Sequence, residues 1–290
     1  MRESVESTAE FSVNMTCESC ESKVRSALLK HGVQDFQIDL PSQRVIITST
    51  KITEELKNVI EDTGKLAVLI GVGGEGRLQG GEERVHGGGD VPRQGLGAAV
   101  AMLGKDGDYF TPGVKGVIRF NQIDRSRCIV EGTLDGLEPG EHGLAVHEAG
   151  DVSRGCHSLG DHYNPRGTRH GSPENMEEER HVGDLGNIRA DESGRATFRI
   201  VDPILKVWDV IGRSVVVSTD KDDLGQGNHP RSLVDGNCGP GLACGIIARS
   251  AGLGENLKKI CACDGVTIWD ERNKPLAGQG RQDNQPETSY

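Results

Sequence analysis

The sequence of residues 11–30 is FSVNMTCESCESKVRSALLK, and it joins a strand-like pattern to a helix-like one. Its hydrophobic residues first alternate with polar ones and then recur at wider spacing: Phe11, Val13 and Met15, followed by Val24, Ala27 and Leu28. Alternation predicts a strand, and spacings of three and four residues predict a helix. The predicted helix, residues 21–30, ends before Gly32. A loop that contains Cys17 and Cys20 leads into it.

Further elements follow in a recognisable order up to residue 70. Residues 33–40 and 44–50 are predicted strands, joined by a turn at residues 41–43 that begins with Pro41. Thr53 is predicted to cap a second helix, and residues 66–70 to form a last strand. The order strand, helix, strand, strand, helix, strand is the ferredoxin-like βαββαβ pattern.

After residue 72 the composition changes to glycine and charged residues, which is typical of a linker. Residues 71–76, GVGGEG, match the GxGxxG motif of dinucleotide-binding proteins, but that motif must open a helix and none is predicted here. From about residue 95, short strand-like runs alternate with glycine-rich turns, which predicts an antiparallel β-sandwich or barrel. We therefore assign residues 8–72 to a ferredoxin-like domain, 73–94 to a linker, 95–250 to the β domain and 251–290 to a short C-terminal segment.

Composition excludes several classes of protein. The 290 residues carry a net charge of −11, which makes nucleic acid an improbable partner. No hydrophobic run approaches the ~20 residues of a membrane helix, so no membrane span is expected. Residues 1–7, MRESVES, lack the apolar core of a secretory signal. These features predict a cytoplasmic protein in a reducing compartment, where cysteines can stay thiols.

The pair Cys17 and Cys20 has three chemical interpretations: a redox dithiol, half of a zinc site, or a clip for a soft ion such as Cu(I). Met15, two residues before Cys17, and the βαββαβ order resemble the heavy-metal-associated domain. That resemblance implies that both cysteines bind Cu(I) and that Met15 is a buried support. Cys20 would lie in the first helical turn, where the helix dipole favours a thiolate.

Residues 140–151, GEHGLAVHEAGD, begin a series of motifs that resembles the copper,zinc superoxide dismutase family through residues 222–225 and 242–245. The resemblance implies a Greek-key barrel and four zinc ligands: His162, His170, His181 and Asp184. Three imidazoles and a carboxylate suit Zn(II). The resemblance also implies a disulfide between Cys156 and Cys244, the alternative being two buried thiols. Cys128 and Cys238 have no predicted partner.

The copper side of that family's site is incomplete in this sequence. Two copper histidines of the family fall on Ala145 and Ser218, and its active-site arginine falls on Gly241. Only His147 and the bridging His162 would remain as copper ligands. Two imidazoles hold and cycle copper less well than four, so the sequence predicts that this domain is not an enzyme.

Near the C-terminus, Cys261-Ala262-Cys263 is a second thiol pair, able to bind Cu(I) or to exchange with a disulfide. With residues 268–272 and the two preceding domains, it resembles the family of copper chaperones for superoxide dismutase. The resemblance implies Cu(I) delivery to apo superoxide dismutase and formation of that enzyme's disulfide, with Cys261 and Cys263 carrying the transfer and exchange. Two alternatives remain: a dismutase-like enzyme fused to a copper-binding domain, and a copper buffer or sensor.

The same resemblance implies the partners. A heterodimer with superoxide dismutase would use four residues of the dismutase-type interface: Gly150, Ile211, Gly212 and Ile246. The same patch allows a homodimer. A copper importer or another Cu(I) donor is expected to load the chain.

Overall fold

The structure is a computed structural model, and it describes residues 5–74, 97–105, 107 and 113–255. The described residues form two compact units. One consists of Thr8–Val72 together with residues 252–255, and the other includes Gly73–Ala251. None of the helices in these residues is long and apolar enough to cross a membrane.

The first unit has the predicted ferredoxin-like order. Its elements are β1 (Ser7–Val13), α1 (Glu18–Lys30), β2 (Asp35–Asp39), β3 (Arg44–Ser49), α2 (Thr53–Glu61) and β4 (Ala67–Gly73). The strands form one sheet in the order β2-β3-β1-β4. Hydrophobic residues of β1, β3 and the two helices form a single buried cluster that includes Phe11, Leu28 and Ile47.

Two details of this unit differ from the prediction. Helix α1 begins at Glu18, three residues earlier than expected, so Cys17 is its N-cap and Cys20 lies in its first turn. Thr53 is the first residue of α2 and not its cap, a position held by Ile52. Thr53 is buried together with Leu56 on the core-facing side of the helix, so packing and not capping determines its place.

The second unit is an antiparallel barrel, as predicted. Its strands are β5 (Ala98–Gly104), β6 (Lys115–Gln122), β7 (Cys128–Asp135), β8 (Gly140–His147), β9 (Ser153–Cys156), β10 (Asp184–Ala190), β11 (Ala196–Asp202), β12 (Ser214–Ser218), β13 (Gly241–Ile246) and β14 (Ala248–Ser250), with short helices α3 (Val207–Val210) and α4 (Ser232–Asp235). The sheet order is β13-β12-β8-β10-β11-β7-β6-β5-β14. A pairing of β13 with β5, at Cys244 and Gly104, closes the ring of eight strands.

The strand-like runs of the sequence each form a strand of this barrel: residues 98–103, 116–120, 129–134, 144–147, 196–200 and 213–218. The prediction omitted β9, β10, β13 and β14. Of these, β10 and β13 have the sequences DLGNIRA and GLACGI, which mix glycine with polar or small residues. Cys156 and Cys244 form the expected disulfide, which joins β9 to β13 across 88 residues of sequence. In the chain-entropy model such a loop stabilises the fold by about 4–5 kcal/mol. Cys128 and Cys238 are buried free thiols.

Candidate metal centres

The thiol pair lies where β1 passes into α1. The Sγ atoms of Cys17 and Cys20 are 3.0 Å apart, close enough for both to contact one ion. Cys17 is exposed and Cys20 is buried, so an ion would be reached from the Cys17 side. Met15 lies beneath the loop and is 1% exposed. Gln43 donates a hydrogen bond of 3.0 Å to its carbonyl oxygen and so fixes the loop against the β2–β3 turn.

The surroundings of Cys20 favour its thiolate. Hydrogen bonds from the Cys17 side chain, the Thr16 backbone and the Lys65 side chain lower the pKa of Cys20 from 9.0 to about 6. The first turn of α1 adds the positive end of the helix dipole. Thiolates, unlike thiols, are ligands for soft metal ions, so the pair is prepared to bind such an ion at neutral pH.

A second centre lies beside β10, where four residues far apart in sequence come together: His162, His170, His181 and Asp184. All four are buried, and one ligand atom from each lies within 4.8 Å of the others. The Nδ1 atoms of His162, His170 and His181 lie 2.8, 2.9 and 3.2 Å from Oδ1 of Asp184. The long loop between β9 and β10 supplies the three histidines, and Asp184 is the first residue of β10.

Hydrogen bonding around this cluster fits a metal ion. The Nδ1 atoms of His170 and His181 are buried and have no hydrogen-bond partner, although both point at the Asp184 carboxylate. Oδ2 of Asp184 accepts the backbone N–H groups of Gly171 and His181, at 3.1 and 2.9 Å, and so keeps Oδ1 turned toward the rings. The Nε2–H of His170 donates to Asp222 at 2.8 Å. A carboxylate behind a ligating imidazole is the usual outer shell of a zinc site.

The charges within the cluster perturb its titration. Burial opposes ionisation of Asp184, but the hydrogen bond from His162 and the close approach of the His170 and His181 rings outweigh it and hold the pKa of Asp184 well below its usual range. Burial likewise opposes charging of His170, but its contacts with the Asp184 and Asp222 carboxylates raise its pKa to about 10. The Asp184 carboxylate thus stays ionised at the centre of the cluster.

Next to this cluster lie Ala145 and Ser218, the positions where two copper histidines of the dismutase family fall. Ala145 on β8 is buried and pairs with Val216 of β12, and Ser218 ends β12. Ser218 accepts a hydrogen bond from Cys238 Sγ, at 3.2 Å. The rings of His147 and His162 remain, with centroids 5.0 Å apart. Burial, followed by repulsion from His162, lowers the pKa of His147 to about 4.

Gly241, at the start of β13, has no room for a side chain. A Cβ atom there would lie 2.9 Å from Cβ of Cys156 and 2.9 Å from Cγ1 of Val216. The disulfide is therefore packed directly against the glycine. An arginine at this position would require the disulfide or β12 to shift.

The four predicted interface residues lie together on the barrel. Gly212 donates its N–H to the carbonyl oxygen of Ile247, at 2.8 Å, which places it beside the end of β13. A Cβ on Gly150 would lie 2.3 Å from the carbonyl oxygen of Gly212. Ile211 and Ile246 are 41% and 42% exposed. Two aliphatic side chains thus flank a backbone surface made of glycine.

Cys261 and Cys263 lie outside the described residues.

Asp222 contributes to the cluster of three histidines and Asp184 but was not singled out from the sequence. It is 2% exposed, accepts from His170, and is held by Asn187, whose Oδ1 accepts the N–H of Asp222 at 2.8 Å. Its only signal in the sequence was its position in the 222–225 motif.

Comparisons with known proteins agree with both units. A family model described as Heavy-metal-associated domain matches residues 10–65, and one described as Copper/zinc superoxide dismutase (SODC) matches residues 114–247. The Homo sapiens protein named Copper chaperone for superoxide dismutase is 51% identical over 278 residues, which cover 96% of this chain and 93% of that protein. The Mus musculus protein of the same name is 50% identical over 276 residues, covering 95% and 92%.

A more distant relative also aligns along most of its length. The Arabidopsis thaliana protein named Copper chaperone for superoxide dismutase, chloroplastic/cytosolic, is 36% identical over 266 residues, which cover 91% of this chain and 70% of that protein. The chain therefore belongs to the family of copper chaperones for superoxide dismutase.

Proposed function

We propose that this protein is a metallochaperone that delivers Cu(I) to apo copper,zinc superoxide dismutase and promotes formation of that enzyme's intramolecular disulfide. The observation that carries the proposal is the contrast between the two metal centres. The Cys17/Cys20 pair has sulfur atoms 3.0 Å apart and a lowered thiol pKa, which suits copper capture. The barrel has the dismutase fold but offers Ala145 and Ser218 where catalysis would need imidazoles. The relatives named above are likewise named as chaperones and not as enzymes.

The barrel serves, in this proposal, as a docking module. A dismutase-like surface can replace one subunit of a symmetric dimer and so form a heterodimer, or pair with itself in a homodimer. The patch of Gly150, Ile211, Gly212 and Ile246 supports this role because two exposed aliphatic side chains flank a surface of glycine backbone. A charge placed there would be buried without a partner on docking.

Zinc is proposed for the cluster of His162, His170, His181 and Asp184. Two buried imidazole nitrogens that lack a hydrogen-bond partner support it, as do the three nitrogens and one oxygen that the cluster offers, a set of ligands that suits tetrahedral zinc. Zinc bound there would tie the loop between β9 and β10 to the barrel. Its contribution is to the stability of the docking module and not to chemistry.

Copper transfer and disulfide formation are assigned to the Cys17/Cys20 and Cys261/Cys263 pairs. Cu(I), supplied by a membrane importer or another donor, would pass between thiolate pairs by ligand exchange. An oxidised Cys261–Cys263 pair would accept two electrons from the two thiols of the target. A target thiolate attacks one sulfur, a mixed disulfide forms, and the second target thiol resolves it, leaving Cys261 and Cys263 reduced.

The test is to mix the copper-loaded chain with apo superoxide dismutase and to follow dismutase activity and disulfide state against copper concentration. Replacing Cys17 and Cys20 by Ser should lower activation chiefly when copper is scarce. Replacing Cys261 and Cys263 should abolish activation at every copper level. Full activation by the second variant would favour a copper buffer, because a buffer needs only the Cys17/Cys20 pair. Substantial dismutase activity of the chain alone would favour a fused enzyme.

A further inference from the structure

The outer face of the ferredoxin-like sheet carries a buried carboxylate. Glu10 lies in the middle of β1 and is 1% exposed. Its neighbour Phe11 faces the helices, so the alternation of the strand directs Glu10 to the opposite face. A buried carboxylate is costly unless it is paired. The guanidinium of Arg44 lies 2.7 Å from Oε1 of Glu10 and supplies one partner.

The second partner comes from the other end of the chain. The backbone N–H of Gly254 donates to Oε2 of Glu10, at 2.7 Å. Residues 252–255 form a turn that closes on itself, because Glu255 accepts the N–H of Gly252 at 2.9 Å. Gly254 has a φ of 71°, a conformation that favours glycine. The turn thus presents a backbone donor to a carboxylate that belongs to β1.

The edge of the same sheet is shaped to receive this turn. Strand β4 is an edge strand, and Val72 near its end forms a parallel bridge with Gly252. The neighbouring Gly71 has no space for a side chain, since a Cβ would lie 2.5 Å from the carbonyl oxygen of Gly252 and 3.2 Å from Oε2 of Glu10. An unpaired edge strand is open to other strands. The turn of residues 252–255 covers the edge of β4 at Gly71, where the missing side chain lets the backbone of Gly252 approach closely.

We propose that the Glu10 carboxylate and the β4 edge at Gly71 form a docking site for the turn of residues 252–255 of the same chain. The site anchors the start of the segment that carries the second thiol pair to the domain that carries the first. Cys261 comes seven positions after Gly254, and Cys17 comes seven positions after Glu10. Seven extended residues span at most about 25 Å, so the two pairs can meet within one chain. The consequence for copper transfer rests on the function proposed above.

The anchoring itself is tested in the full-length chain by NMR-detected amide exchange. In the wild type the Gly254 amide should exchange at least tenfold more slowly than in an unstructured peptide of the same sequence. Gly71→Ala should abolish this protection, because its Cβ would collide with the backbone of Gly252. Glu10→Gln should weaken it, since a neutral amide oxygen is a weaker acceptor for the Gly254 N–H than a carboxylate oxygen. Glu54→Gln is the matched control. Glu54 lies on α2, where its Oε1 atom is 3.0 Å from Nζ of Lys57. The substitution removes the same charge from an ion pair and should leave the protection of the Gly254 amide unchanged.

Circular dichroism and Cu(I) affinity at Cys17/Cys20 should match the wild type in all three variants, which separates release of the turn from unfolding. An unprotected Gly254 amide in the wild type, or full protection in both Gly71→Ala and Glu10→Gln, overturns the docking site. An unprotected amide and a changed activation are separate results, and the second tests the functional consequence.

Release of the turn should slow activation of apo superoxide dismutase at limiting copper at least threefold. Unchanged activation in a variant with a released turn overturns the role of the anchor in transfer, while activation by the wild type preserves the proposed function.

Discussion

Two substitutions of Asp184 should show whether its carboxylate binds a metal ion or only fixes the loop between β9 and β10. Oδ1 of Asp184 faces the three imidazoles, and Oδ2 accepts two backbone N–H groups. Asp184→Asn keeps an oxygen for those N–H groups but replaces the anionic ligand by a neutral amide. Asp184→Ala removes both functions. The two variants together distinguish a zinc ligand from a structural acceptor.

The size of each effect follows from the contacts. Zinc at a hundredfold excess over its dissociation constant should stabilise the folded barrel by about 2.7 kcal/mol. For a domain of this size, about 2–4 °C of Tm corresponds to 1 kcal/mol, so the wild type should lose roughly 5–11 °C when a chelator removes zinc. Asp184→Ala should cost about 1–3 kcal/mol more for each of the two N–H groups left buried without an acceptor.

The assay is thermal unfolding of the barrel transition, with and without zinc, together with zinc stoichiometry on the purified chain. The wild type should bind one zinc and show the chelator shift, Asp184→Asn should show little shift, and Asp184→Ala should unfold at the lowest temperature. Glu141→Gln, at an exposed ion pair with Lys221, is the control and should behave as the wild type. Zinc binding and a chelator shift that survive in Asp184→Asn would refute the assignment of the site.

Three further outcomes are expected. Alkylation of Cys20, located by mass spectrometry in the metal-free chain, should rise with pH through a midpoint near 6, because hydrogen bonding lowers that thiol's pKa; a midpoint above 8 contradicts the thiolate argument. The chain should show negligible dismutase activity, and the double variant Ala145→His, Ser218→His should bind copper more tightly in a competition assay. Gly241→Arg should lower Tm, because its side chain would displace the disulfide. An active wild type, or an unchanged Tm in Gly241→Arg, contradicts these statements. Ile211→Glu should weaken binding to superoxide dismutase at least tenfold in a sedimentation or calorimetric assay without changing Cu(I) uptake, and wild-type affinity would place the interface elsewhere.

The docking test uses Ile211 for a structural reason. Gly212 is at the centre of the patch, but its φ of 85° favours glycine, so Gly212→Glu would add backbone strain to the intended charge. Ile211 is exposed and has an ordinary backbone conformation, with φ of −60°. Loss of binding in Ile211→Glu therefore reports on the surface and not on the fold.

Local patterns were enough to establish the fold class of both units. Alternating and helical spacings between residues 11 and 70 specify βαββαβ because each element must bury one hydrophobic face. Regularly spaced glycine turns between strand-like runs specify an antiparallel sandwich or barrel for the same reason. Resemblance to the two families was enough to name the cysteines and histidines. Strands such as β10 and β13 were missed, since their residues become strand through pairing with neighbours and not through their own propensity.

The tertiary structure alone decided which named residues act together and which changes the fold tolerates. Asp184 meets three histidines and Cys156 meets Cys244 because barrel closure brings distant loops to one side of β10 and β13. The close packing of Gly241 against the disulfide and the contact of Glu10 with Gly254 leave no trace in any local pattern. Such contacts depend on distances between segments far apart in sequence, and those distances exist only once the chain has folded.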